Sequence, residues 1–164
     1  MTGWSKGARL LAGAIDALAI LATLAVAALT VFIVIARFAE IAVVGIHEII
    51  LLAAVLMYML GAVISSRNGT HLRVDWLDSQ LTRPRMKAVQ RLAIAAVSLI
   101  TTGFFVYWTY RMFAWGLVRP QHTPAYGIPL WIPQAAFLIG SLGCFFYALR
   151  DTVTALAVLT RRAA

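Results

Sequence analysis

The chain has 164 residues, of which 62% are hydrophobic and only 12% charged, and its mean hydropathy is +0.88. A water-soluble fold of this length has too little interior to hide so much apolar surface, so an ordinary soluble domain is excluded. The formal charge of +8 would suit a polynucleotide surface, but the placement of the cations along the chain points elsewhere.

A helix of about 20 apolar residues crosses roughly 30 Å of hydrocarbon with every backbone amide paired internally. Four stretches reach that length, at about 10–36, 41–64, 92–113 and 130–159. The sequence therefore predicts an all-α membrane protein of four transmembrane helices, forming a single integral membrane domain over 1–164. Lys6 and Arg9 precede the first stretch, and Ala17-Leu18-Ala19 imitates a signal-peptide cleavage site. The apolar run nevertheless continues to Ala36, far past the roughly 7–15 residues of a signal core, so it reads as a retained helix. Within it Ala19, Thr23 and Ala27 recur every four residues, a stripe of small side chains along which another helix can come close. Only a few residues around Phe38 to Glu40 join the first helix to the second, which makes the two antiparallel neighbours.

After the second helix comes an island of charge, SRNGTHLRVDWLDSQLTRPRMK, from Ser66 to Lys87. Asn68-Gly69 is a turn signal that ends the helix. Asp75 is placed to cap a short amphipathic segment at about 74–82, with Val74, Leu77 and Leu81 on one face. Too short to span, this segment is expected to lie in the interface with Trp76 at headgroup depth. Thr82 and Pro84 suit the entry to the third helix, whose early cations Arg85, Lys87 and Arg91, with Arg83 before them, are placed to meet lipid phosphates. The Asn68-Gly69-Thr70 triplet matches a glycosylation acceptor only by accident if this island is cytoplasmic. Between the third and fourth helices, 119–133 holds four of the five prolines. It reads as a stiff extended cover ending in Trp131, an interfacial anchor.

With the amino terminus in the cytoplasm, ten cations (Lys6, Arg9, Arg67, Arg73, Arg83, Arg85, Lys87, Arg91, Arg161 and Arg162) fall inside. Three, Arg37, Arg111 and Arg119, fall near the outer face, and Arg150 lies within the fourth helix. That asymmetry is the positive-inside pattern and predicts both termini in the cytoplasm. The basic balance then reports orientation and contact with anionic phospholipid, with no nucleic-acid partner.

Charges inside a bilayer are expensive and prompt a functional question first. Asp16 and Arg150 lie toward the inner side, and Glu48 lies toward the outer side with Arg37 and Arg111. Each acid is thus expected to pair with a cation at similar depth, and no acid stands near the midplane to carry a proton relay. Of the three histidines, His47, His71 and His122, only His47 is inside a helix, so a transmembrane haem ligand pair is lacking. Cys144 is a lone cysteine within the fourth helix and reads as a small packing residue. No zinc spacing, phosphate-binding glycine loop or serine nucleophile motif is present. Ser98, Thr101 and Thr102 read as groups that bond helix to helix. The expectation is a protein that is not an enzyme and holds no cofactor.

Gly61, Arg67 and His71-Leu72-Arg73-Val74-Asp75 followed by Leu77, after a second helix with an acid near its start, resemble the small membrane subunit of tripartite ATP-independent periplasmic (TRAP) transporters, the DctQ-like family. Arg37-Phe38 resembles that family's arginine before the outer loop, and Ile128-Pro129-Leu130-Trp131-Ile132-Pro133 its entry to the fourth helix. The family's paired glutamates would fall on His47 and Glu48, of which only the second is an acid here. The resemblance implies a multi-pass protein of the bacterial inner membrane and a non-enzymatic part in the uptake of an organic acid or similar solute. A periplasmic solute-binding protein would deliver the solute to a large permease subunit driven by an ion gradient. Glu48, Arg67, His71, Arg73, Asp75 and Trp76 would then be structural or partner-contact residues. The rivals are the small subunit of tripartite tricarboxylate carriers, which lacks the histidine-to-aspartate island, and a membrane anchor for a redox or other enzyme complex.

Overall fold

A computed structural model describes residues 6–69 and 84–161. They form four helices: α1 (Lys6–Phe38), α2 (Ile46–Asn68), α3 (Pro84–Val118) and α4 (Trp131–Arg161). Each holds an apolar window long enough to cross a bilayer. The described residues are therefore all-α in class, with four helices fit to span a membrane. The interfacial segment expected at 74–82 lies outside the described residues.

Helix ends follow local chemistry more than hydropathy. The chain leaves α1 through a left-handed residue, Glu40 (φ 58°), and the Ile41 amide donates back to the Ala36 carbonyl at 2.9 Å while that of Glu40 reaches Arg37 at 3.2 Å. These paired bonds satisfy carbonyls that the helix end would leave open. The apolar run 41–44 was expected to begin the second helix, but Gly45 sits at φ 82° and delays the start to Ile46. At the other end α2 runs one turn beyond the expected residue 64. It stops at Gly69, whose left-handed φ of 66° lets its amide reach the Ser65 and Ser66 carbonyls. With 35 residues, α3 is roughly 52 Å long. It greatly exceeds the hydrocarbon thickness, so both its ends project into the headgroup region.

Packing order differs from chain order: α1 lies against α2, α2 against α4 and α4 against α3. The helices thus make a row with α1 and α3 at its two edges. Where α2 crosses α4, a Cβ on Gly140 would stand 2.8 Å from the Met59 Cβ, and one on Gly143 would stand 3.0 Å from a Val63 methyl. Missing side chains let these two backbones approach, which is how helices associate where lipid competes equally for apolar surface. The α3–α4 seam keeps one antiparallel register along its length. Gly116 packs on the Gln134 side chain, the Thr109 and Ser141 hydroxyls bond at 3.0 Å, Gly103 faces the Phe145 ring, and Thr152 donates to the Ala95 carbonyl at 3.1 Å. Cys144 is buried in α4, where the Ser66 hydroxyl donates to its carbonyl at 3.5 Å.

On α1, Ala12, Ala19, Ala22 and Ala36 are half-buried or buried, whereas Thr23 and Ala27 are exposed. The small-residue stripe therefore diverges from the face that meets α2. Leu10, Leu21 and Ile35 are more than half exposed, so α1 offers most of its circumference to its surroundings.

Candidate functional site

Two polar fastenings stand at the two ends of α2. The first ties α1, α2 and α4 beside the carboxyl end of α2. Arg67 projects from the last turn of α2 and donates to both oxygens of Asp16 on α1, at 2.7 and 3.0 Å, and to the Ala12 carbonyl at 3.3 Å. The Arg67 side chain is 15% exposed and that of Asp16 43%, so the pair is sheltered on one side only. From α4, Arg150 donates to the Arg67 carbonyl at 3.4 Å, pairs with Asp151 at 2.8 Å and stacks over the Tyr147 ring, 5.0 Å from its centre. The four charges sum to zero, with each arginine next to an acid. Neutral pairs of this kind let charged groups sit at a membrane boundary without a net field penalty.

This arrangement corrects the expected pairing of Asp16 with Arg150. Arg67 becomes part of α2 because that helix continues to Asn68, and α2, not α4, is the helix beside α1. Arg150 instead finds its acid at the adjacent position, Asp151, which the sequence reading had passed over.

The second fastening is at the amino end of α2. Residues 121–130 do not form an extended cover: they double back, with the Leu130 amide on the Gln121 carbonyl at 2.9 Å and the Thr123 amide on that of Ile128 at 2.9 Å. Gly127, at φ 63°, turns the chain, and the Thr123 hydroxyl accepts from the Ile128 amide at 2.9 Å. The tip presents two successive backbone N–H groups, and both are taken by Glu48. Ala125 donates to Oε1 at 2.8 Å and Tyr126 to Oε2 at 3.0 Å. Consecutive amides of this sort make an anion-binding concavity, and the first turn of a helix favours an acid. Gly45 makes the approach possible, because a Cβ there would lie 2.5 Å from that of Ala125 and 2.8 Å from the Tyr126 ring.

Glu48 is therefore held by backbone amides and not by Arg37 or Arg111, the cations expected to pair with it. Arg37 is exposed in the last turn of α1, and Arg111 is exposed on α3 with the Tyr107 hydroxyl as acceptor at 3.4 Å. His47 and His122 are both exposed near this end. Among the described residues, no three His, Cys, Asp or Glu come together in a way that would hold a metal ion. Of the remaining candidates, His71, Arg73, Asp75, Trp76 and Arg83 lie outside the described residues. Arg85, Lys87 and Arg91 fall on the first turns of α3, where Lys87 is half-buried and Arg91 exposed.

The geometry amounts to four helices fit to span a membrane, standing in a row and tied by polar contacts at both ends of α2. Compared with protein-family models, the chain matches one described as "Tripartite ATP-independent periplasmic transporters, DctQ component" over residues 26–158, most of its length. The chain belongs to the DctQ family. A comparison with curated proteins found no match. As a DctQ component, it is a small multi-pass membrane subunit of a TRAP transporter, and the family carries with it the bacterial inner membrane and association with other TRAP components. The matched region holds the whole fastening at the amino end of α2 and the Arg67, Arg150 and Asp151 part of the one at its carboxyl end. Asp16 precedes it.

Proposed function

We propose that this DctQ chain is the static companion of the large TRAP permease subunit. It widens the fixed scaffold against which the moving, solute-carrying part of that subunit works during ion-driven uptake. The solute would be an organic acid or a similar compound brought by the periplasmic binding protein. The observation that carries this reading is the fastened row: an open array keeps broad helix faces available for a partner, while polar ties at both ends of α2 keep the array from shearing. Both termini and the island after α2 lie in the cytoplasm, following the placement of the cations. In the assembled transporter His71, Arg73, Asp75 and Trp76 bind the island to helix ends or to the partner. On the same side Arg83, Arg85, Lys87 and Arg91 hold lipid phosphates.

The test is co-purification and uptake. A tagged copy extracted in mild detergent should bring down a much larger polytopic subunit, and deleting the chain should abolish uptake in proteoliposomes supplied with the binding protein. Asp75→Ala and Arg73→Ala should weaken recovery of the large subunit without changing solute capture by the binding protein. A stable lone species whose removal leaves uptake intact would overturn the assignment.

A further inference from the structure

The free edge of α3 carries a pattern that neither fastening explains. Arg91 and Arg111 are 20 positions apart on one helix, roughly 30 Å along its axis, and the residues between them include no charge. Thirty ångströms is about the hydrocarbon thickness of a bilayer, so the two arginines bracket the core and Arg111 stands at headgroup depth at the loop end of the helix. Phe104, Tyr107, Trp108, Arg111 and Trp115 follow a spacing of three, four, seven and eleven from the first and fall on one face. All five are exposed, Phe104 at 65% and Trp108 at 55%. That face lies opposite the seam with α4, whose contacts run through Ala95, Thr109 and Gly116. The rings are ordered among themselves: Trp108 meets Phe104 edge-on at 6.0 Å and Tyr107 at 5.8 Å. The Tyr107 hydroxyl accepts from Arg111 at 3.4 Å and steadies the guanidinium, while no carboxylate pairs with it among the described residues.

We propose that this edge is a binding site for one anionic phospholipid, with the phosphate on Arg111 and an acyl chain laid along Trp108 and Phe104. Charge complementarity selects the occupant. A guanidinium at headgroup depth, with most of its donors still open, matches two phosphate oxygens in a planar fork. The aromatic steps below it descend into the hydrocarbon and offer flat apolar walls to a chain. From Arg111 to Phe104 the ladder drops roughly 10 Å, most of the depth of one leaflet. The site needs only the helix and the bilayer, so it does not depend on the role proposed for the subunit.

The test uses the full chain with its large subunit, reconstituted in phosphatidylcholine nanodiscs. Tryptophan quenching is titrated with acyl-brominated phosphatidylglycerol or with acyl-brominated phosphatidylcholine, and Trp108→Phe identifies the Trp108 signal. Wild type should be half-quenched at about one-fifth the mole fraction with the anionic lipid, and Arg111→Gln should erase that preference. Arg111→Lys, which keeps charge but not the fork, should retain part of it. Inorganic phosphate at millimolar concentration should not compete. Equal quenching by the two lipids, an unchanged preference in Arg111→Gln, or competition by free phosphate would each overturn the proposal. So would Trp108 that no lipid quenches in the complex, since a protein surface would then cover the ladder.

Discussion

Replacing Gly45 by alanine should undo the fastening at the amino end of α2, and the size of the effect follows from two independent terms. Gly45 adopts φ 82°, where an L-residue costs about 1–2 kcal/mol relative to glycine. The added Cβ would also lie 2.5 Å from the Ala125 Cβ and 2.8 Å from the Tyr126 ring, an overpacking worth about 1–3 kcal/mol. The loop tip can escape by lifting, so the cost should appear as local opening and not as unfolding of the row. At the lower limit of their sum, about 2 kcal/mol, the Ala125 and Tyr126 amides should exchange with deuterium roughly 30-fold faster, while the α3–α4 seam stays protected. The assay is residue-resolved hydrogen exchange of the full chain in nanodiscs. Gly69→Ala is the control, since Gly69 has a similar φ of 66° but nothing within 4 Å of a new Cβ, and it should leave the loop amides alone. Exchange at Ala125 and Tyr126 within twofold of wild type in Gly45→Ala would refute the reasoning.

Glu48→Gln leaves one amide of the tip without an acceptor, and the same exchange measurement should show faster loss at Ala125 or Tyr126, with no change at α1. Arg67→Met should loosen α1 more than Asp16→Asn, because Arg67 also holds the Ala12 carbonyl. A double-mutant cycle read by thermal unfolding in detergent should give a coupling of about 1 kcal/mol for this part-exposed pair, and zero coupling would remove it as a fastening. Gly140→Leu should force α2 from α4, since even its Cβ meets Met59 at 2.8 Å. The cost, about 1–3 kcal/mol or more, should show as a lowered unfolding midpoint. The Thr109 and Ser141 hydroxyl pair should couple more weakly, by about 0.6 kcal/mol in a cycle with Thr109→Val and Ser141→Ala.

The four spans were legible because uninterrupted apolar runs of this length have few stable alternatives to a helix in lipid. Their ends were less so, for reasons that differ at each. The third helix was expected over 92–113, yet it covers Pro84–Val118, because the helix continues into the headgroup region where Lys87, Arg91 and Trp115 are as content as in any solvent. The start of α2 was hidden by the apolar run Ile41 to Val44, although Gly45 placed three residues before Glu48 is a visible sign of a helix entry. One misplaced turn at the other end had the larger consequence. Ending the helix at residue 64 left Arg67 in the island, and Asp16 was then matched with Arg150 by depth alone. Depth cannot say which helices are neighbours, and the packing order α1, α2, α4, α3 is a tertiary outcome. The doubled-back loop was obscured by its prolines. Thr123-Pro124 followed by Gly127 carries the turn chemistry, but the docking of its tip on Glu48 joins residues 77 positions apart, and no local signal announces that.

If the subunit works as a fixed plate, then freezing it should not matter. The Val63 Cβ lies 3.9 Å from where a Cβ on Gly143 would stand, within the range a disulfide needs. In a Cys144→Ala background, Val63→Cys with Gly143→Cys can be oxidised to lock α2 to α4 in the assembled transporter. Uptake into proteoliposomes, measured before and after oxidation and again after reduction, should be the same in all three states. Transport that stops on oxidation and returns on reduction would mean that these helices move past one another during the cycle, contradicting the static role.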